Sequence, residues 1–303
     1  IWLLYMVRGG EVRLLSSSAN RPLALFLLAN LASLLIGRAT WDPTVPVSGS
    51  FLLVQLAQWA ILAFSAAAFW LGANLVKSEL WLRRLTFTML LVGGAAAILW
   101  VVPGGRTLTR PYLTVSLIRA PFWVLLAALA GGQLLYNNRL AGVLRLFLLV
   151  TLGACVSYAF VQQQESASNW VGLGVVLGLL VWFRFRHLRT PVLVLVVALL
   201  AMGLLVPGIY QFAGGDAEWD LSGGSRVVLV ERVIGVTMRN PITGLGPAAY
   251  RPDANMQPLA YRGAYLIVPN VNSHNNYVDL FAHGGIIAVL LFAWFAVEVA
   301  RLG

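Results

Sequence analysis

Long apolar stretches alternate with short polar ones along almost the whole chain, the apolar runs covering residues 22–37, 51–76, 85–102, 112–136, 146–161, 170–183, 191–206 and about 277–300. A bilayer core of about 30 Å takes about 20 helical residues. Each run therefore predicts a membrane-crossing helix, the shorter ones drawing on interfacial residues or a thinner bilayer. The pattern gives eight spans and an all-α, polytopic transmembrane helical bundle. One connection breaks the rhythm: residues 207–273 form a polar stretch far longer than its neighbours, and long connections in compact proteins are usually functional caps or disordered links. Within it, 214–224 is rich in Gly and Asp and predicts a turn, whereas 225–239, S-R-V-V-L-V-E-R-V-I-G-V-T-M-R, has the length and apolar content of a helix lying on a membrane surface. The expected organisation is a single integral membrane domain over 1–303, with 207–273 as a loop of short helices capping the active site.

Composition agrees with this picture. Hydrophobic residues make up 59% and charged residues 11% of the chain, and the mean hydropathy is +0.81, whereas globular domains are about half apolar and a quarter charged. The net charge of +10 would suggest nucleic acid in a soluble chain. Here the basic residues sit in short loops, where they set topology instead. Segments 8–21, 77–84, 137–145 and 184–190 each carry two or more basic residues, while 38–50, 103–111 and 162–169 hold only Arg38, Arg106 and Arg110 between them. The positive-inside rule makes the first set cytoplasmic and the second extracytoplasmic, which puts 207–273 outside. The single Cys155, inside an apolar run, reads as a small buried hydrophobe. Residues 1–7 are too short for a signal peptide and read as the tail of an earlier helix; further helices are expected at both ends.

Polar chemistry concentrated at one boundary of an apolar bundle is where function is expected. That boundary is N-S-H-N-N-Y-V-D-L-F-A-H-G-G at 272–285, which hands the outer loop over to the last helix. His274 is its centre. Asn275 and Asn276 are placed to cap the helix, which would hold the imidazole on a rigid element, and a neutral imidazole of pKa about 6.5 is suited to take a proton from a hydroxyl. A hydrogen-bonded structural histidine is the alternative, and His283, nine residues on, is read that way. Upstream, Arg226, Arg232 and Arg239 recur at intervals of six and seven, broadly on one side of a helix. Guanidinium groups stay charged and grip phosphate oxygens in pairs, so the cluster suits a phosphorylated, membrane-anchored substrate; contact with lipid headgroups is the alternative. The segment 240–251, N-P-I-T-G-L-G-P-A-A-Y-R, reads either as a helix stop and turn or as backbone tight enough to approach a ligand. Arg119 falls about two turns into the fourth run, two residues before Pro121. A cation at that depth costs about 3 kcal/mol, so it either faces a wet, anionic cavity or snorkels outward. His187 lies on the cytoplasmic side, and Asp216, Glu218 and Asp220 lack histidines at ligand spacing, so no metal site is expected. There is no Gly-rich phosphate motif followed by Lys and Ser or Thr, and no Gly-x-Ser-x-Gly elbow.

Together these residues resemble the bacterial O-antigen ligases and the related O-unit polymerases. The resemblance rests on Gly224-Ser225-Arg226, then Arg239-Asn240-Pro241-Ile242-Thr243-Gly244-Leu245-Gly246-Pro247, then His274-Asn275 leading into Gly284-Gly285-Ile286-Ile287. Val278 stands where the family usually has Leu. Where the family often carries Ser-Arg-Gly at the outer start of the sixth span, this chain has Ser168-Asn169-Trp170-Val171-Gly172, a missing cation that Arg119 is placed to replace. The resemblance implies a GT-C-like glycosyltransferase of the bacterial inner membrane, multi-pass, with its active site on the extracytoplasmic side. It would move a glycan from undecaprenyl diphosphate to an acceptor sugar on a glycolipid such as lipid A core, usually with inversion and with no metal or other cofactor. Arg226, Arg251, Arg232 and Arg119 would bind the diphosphate, Asn275 the substrate, and His274 would activate the acceptor hydroxyl. A repeat-unit polymerase of the same chemistry is the alternative, and a transporter or flippase of an anionic lipid a third reading; membrane lipids are partners in all three, and nucleic acid in none.

Overall fold

The computed structural model describes residues 15–76, 78–109, 111, 119–164, 167–256, 259–261, 264–266 and 273–302. Each apolar run contains helix, because hydrocarbon offers backbone N–H and C=O groups no partner outside their own segment. In chain order the helices include α1 (Asn20–Ala39), α2 (Phe51–Leu75), α3 (Glu79–Val101), α4 (Ala120–Tyr136), α5 (Gly142–Gln162), α6 (Ala167–Arg184), α7 (Arg189–Ala201), α8 (Leu205–Phe212), α9 (Gly224–Thr237), α10 (Tyr250–Ala254) and α11 (Asn276–Leu302). Between α10 and α11, β1 (Leu259–Tyr261) and β2 (Ala264–Leu266) form a two-stranded antiparallel ribbon with Ala260 opposite Tyr265. Among the described residues the chain is all-α and helical with this one short exception.

The eight expected spans are not eight equal helices. Among the described residues, α1, α2, α3, α5 and α11 are long and apolar enough to cross a membrane. Helix α4 has 17 residues, and the α6 and α7 runs meet at a 113° bend, as a broken span or a re-entrant pair does. The bend falls at Phe185, whose backbone leaves the helical region (φ −114°, ψ 81°) within the run R-F-R-H-L-R. Pro121 does not kink a helix. It sits in the first turn of α4, where its missing N–H breaks no bond. Arg119 is consequently the extended residue just ahead of that helix (φ −92°, ψ 173°), with its side chain exposed on the protein surface; residues 112–118 of that run lie outside the described residues. The run 191–206 ends early, at Ala201, and Gly203 (φ 66°) supplies the left-handed step between α7 and α8. The Gly/Asp-rich 214–224, expected as a turn, is helical at Gly215–Glu218 and continues as a π-turn at Trp219–Gly223.

The chain forms two compact units, Ser78–Asp220 and a second built from 1–77 with 221–303. In Ser78–Asp220, Trp123 of α4 stacks on Tyr158 of α5 at 4.0 Å, within a core of Leu90, Leu126, Leu148 and Leu173. Small residues set how closely these helices approach, as membrane packing requires: a Cβ on Gly94 would lie 2.7 Å from Thr151 Oγ1 and one on Gly131 2.8 Å from Leu180. In the other unit α11 packs along α1, with Phe26 against Phe292 at 5.9 Å, and α2 adds Phe69 edge-on to Phe295 at 5.3 Å. Helix α9 brings Leu229, Val233 and Val236 against Tyr250, Ala254 and Ala282. That second core carries the candidate site.

Candidate functional site

Helix α11 is interrupted. At Gly285 the backbone turns left-handed (φ 65°, ψ −165°). A regular helix would bond Ile286 N–H to Ala282 O and Ile287 N–H to His283 O. Here the loop after α9 takes over all four groups. Ile286 N–H donates to Pro241 O (2.9 Å) and Ile287 N–H to Ile242 O (3.3 Å), while Leu245 N–H donates to Ala282 O (2.9 Å) and Gly246 N–H to His283 O (3.1 Å). Ser33 of α1 adds its hydroxyl to His283 O at 2.5 Å. Such contact needs bare backbone. A Cβ on Gly244 would lie 2.5 Å from Gly285 N, one on Gly285 2.2 Å from Ile242 O, and one on Gly37 of α1 1.9 Å from Leu245 O. The glycines of 240–251 therefore serve a close approach to the protein's own broken helix.

The start of α11 is held as firmly. Asn275 Oδ1 accepts from Tyr277 N–H (3.0 Å) and Val278 N–H (3.4 Å), capping the helix as its sequence position suggests. Buried Ser273 donates its hydroxyl to Asp279 Oδ1 (2.8 Å) and accepts from Asn275 N–H (3.0 Å). Between them His274 is exposed and left-handed (φ 52°), a region that non-glycine residues occupy at a cost of order 1 kcal/mol and that clusters at functional sites. Asp279 also accepts from the hydroxyl of Tyr250 (2.9 Å). Tyr250 is fully buried, stacks on His283 at 5.7 Å, and carries the Arg251 guanidinium 5.9 Å over its ring. Burial, and then the Asp279 carboxylate, push the Tyr250 phenol up to about 12, so it stays a donor. Among the described residues, Arg251 Nε and His283 Nε2 are buried with no hydrogen-bond partner, whereas buried polar groups in folded proteins are nearly always paired.

A groove of about 760 Å³ opens beside α9, lined by Asp42, Thr44, Glu231, Arg232, Arg239 and Asp253 among others. Arg239 Nη1 bridges two carboxylates, Asp253 Oδ2 and, at 3.4 Å, Asp42 Oδ2. Asn240 Nδ2 donates to Thr40 Oγ1 (2.9 Å), fastening the same two loops. Burial pushes the Asp253 carboxyl up, against the pull of Arg239. Hydrogen bonds from the Thr44 hydroxyl and backbone hold Asp42 below its usual range.

The predicted site residues thus fall in different places. His274, Asn275 and Arg251 belong to one network at the start of α11. Arg232 lines the groove with Arg239, seven residues on. Arg226, exposed in the first turn of α9, is not among the residues lining it, because six residues along a helix turn it about 120° away from Arg232. Arg119 belongs to the Ser78–Asp220 unit. Asn275 spends its carbonyl oxygen on the helix cap. Sequence reasoning missed Ser273, Tyr250 and Asp279, and the pairing of Arg239 with Asp42 and Asp253. An acid four residues into an apolar helix was a visible signal for Asp279; nothing local marked Tyr250. Among the described residues, no three His, Cys, Asp or Glu gather where they could hold a metal ion.

Residues 163–293 match the family model described as O-antigen ligase. No curated protein and no solved structure matches the chain. The matched segment runs from just before α6 into α11, and it contains His274, Asn275, Arg251, Arg232, Arg226 and both partners of the loop-to-helix exchange. Over residues 163–293, the chain is therefore similar to the O-antigen ligase family.

Proposed function

We propose that the protein transfers a glycan from undecaprenyl diphosphate to an acceptor sugar on a glycolipid such as lipid A core, at the extracytoplasmic face of the bacterial inner membrane and without a metal ion. The acceptor hydroxyl attacks the anomeric carbon, its proton passes to His274, the bond to the diphosphate breaks, and undecaprenyl diphosphate leaves. Negative charge grows on that leaving group, and a preorganised cation is the means to stabilise it. Arg251 would supply this, with Arg226 as a further cation of the reading; Arg119 belongs to the Ser78–Asp220 unit and is left out of the site. Arg232 faces carboxylates across the groove and is left out of the diphosphate site. The observation that supports the proposal is the network around α11: His274 stands left-handed at the helix entry, and Arg251 Nε, over the Tyr250 ring that bonds Asp279 of the same helix, is buried without a hydrogen-bond partner among the described residues.

The test is transfer by purified protein supplied with lipid-linked glycan and acceptor. His274→Ala is expected to lower the rate about 10²- to 10⁴-fold, the usual worth of a general base, with unchanged membrane insertion and thermal unfolding. Undiminished ligation by that variant would remove the proposal. The same assay reads the polymerase alternative, in which the product stays on the polyprenyl carrier and lengthens. A transporter would leave donor and acceptor covalently unchanged.

A further inference from the structure

We infer that the groove beside α9 is the acceptor's saccharide subsite, binding a phosphate-free stretch of sugar chain through Asp42, Glu231, Arg232, Arg239 and Asp253. This rests on the glycosyl-transfer reading above but assigns a different surface from the His274 network. The volume, about 760 Å³, falls in the range of small-molecule pockets, about 300–1,000 Å³. Among the described lining residues, Asp42, Glu231 and Asp253 oppose Arg232 and Arg239. Three carboxylates against two guanidiniums leave the wall net negative, and one of those guanidiniums is already tied to two of the acids. A diphosphate brings only acceptors and negative charge, so this wall repels it. A sugar brings neighbouring hydroxyls that both donate and accept. Carboxylates take their O–H groups in pairs, and guanidiniums supply N–H to their oxygens. The apolar part of the lining, Val45, Val228 and Val236, matches the C–H face of a pyranose. Gly235 lies in the groove with nothing within 4 Å of where its Cβ would be. It leaves the space open, and it is where a side chain could fill the groove without disturbing the fold.

The experiment uses the full chain in detergent or nanodiscs, with dephosphorylated core oligosaccharide and inorganic pyrophosphate titrated separately by calorimetry. Wild type is expected to bind the oligosaccharide. Gly235→Leu and Glu231→Gln should each weaken that binding at least about tenfold, the loss expected for one blocked or broken charged contact. Glu231→Gln should unfold at the wild-type temperature and Gly235→Leu at or slightly above it, and both should leave pyrophosphate binding unchanged; in transfer assays they should raise the acceptor KM and keep kcat. Oligosaccharide bound equally by wild type and both variants, no oligosaccharide binding at all, or pyrophosphate binding lost in Glu231→Gln would each overturn the inference. His274→Ala should bind the oligosaccharide like wild type. Failure of the catalytic proposal is therefore read in its transfer rate and failure of this one in the titration.

Discussion

Ser273, His274 and Asn275 are consecutive residues with three different tasks. The serine is buried and ties the turn to Asp279, the asparagine caps α11, and the histidine is left outside in a left-handed conformation. Two of the three were legible in the sequence, since an imidazole and a capping amide stand out where a polar loop meets an apolar helix. The residues that hold them were not. Tyr250 reads locally as one more aromatic at an interface; only folding shows it buried under Arg251 with its hydroxyl on Asp279. A pH prediction follows from its environment. Burial and the Asp279 charge raise the phenol to about 12, against about 10 when unfolded, so the fold prefers the neutral form. Its contribution is complete below about pH 10 and is lost as pH rises through about 12. Thermal unfolding measured across that window should show a step that Tyr250→Phe lacks, and the variant should lose about 1–3 kcal/mol at neutral pH for the unmet Asp279 bond. An identical alkaline profile in the variant would show that another group carries the step.

At the scale of elements, the α9–α11 region is organised by an exchange rather than by packing alone. Two helical hydrogen bonds that one turn of α11 gives up are replaced by four made with the 240–246 loop, so loop and helix fold as one piece. The sequence offered both halves, G-L-G in the loop and G-G in the helix, but as separate glycine clusters. Hydrophobic periodicity has no means of showing that one backbone completes another. For the same reason it placed Pro121 inside a span and ran the 191–206 helix past Gly203: both residues mark where a helix starts or stops, and apolar content does not. The exchange makes its glycines unequal to others. Gly285→Ala and Gly244→Ala put a methyl against backbone at 2.2 and 2.5 Å, both from a positive φ. Each should destabilise the protein by about 2 kcal/mol or more and depress transfer. Gly178→Ala in α6, with nothing within 4 Å, should unfold at or slightly above the wild-type temperature, since alanine is the better helix former. Equal melting temperatures for all three variants would mean that α11 tolerates a continuous helix at 285.

For the whole molecule, composition and apolar runs were enough for an all-α membrane bundle, because no other spanning structure satisfies the backbone of so apolar a chain except a closed barrel. The alternation of basic and non-basic loops makes a second, separate claim about sidedness, which helix lengths do not test. The active-site proposal depends on it, since a lipid-linked glycan donor must meet His274 on the side where the glycan is displayed. Cys155 makes a direct measurement possible: it is the only cysteine in the sequence and is fully buried, so the wild-type protein should stay silent toward thiol reagents. Gly49 is exposed in the loop between α1 and α2, with room for a side chain, and Asn138 is exposed in the loop between α4 and α5. The positive-inside rule puts the first outside and the second inside. A membrane-impermeant maleimide should label Gly49→Cys in intact cells, and Asn138→Cys only after permeabilisation. The reverse pattern would turn the bundle over, place the α11 entry on the cytoplasmic side and exclude His274 from extracytoplasmic transfer. Labelling of both from outside would mean that the loops around α3 and α4 do not alternate, so α4, at 17 residues, would not complete a crossing.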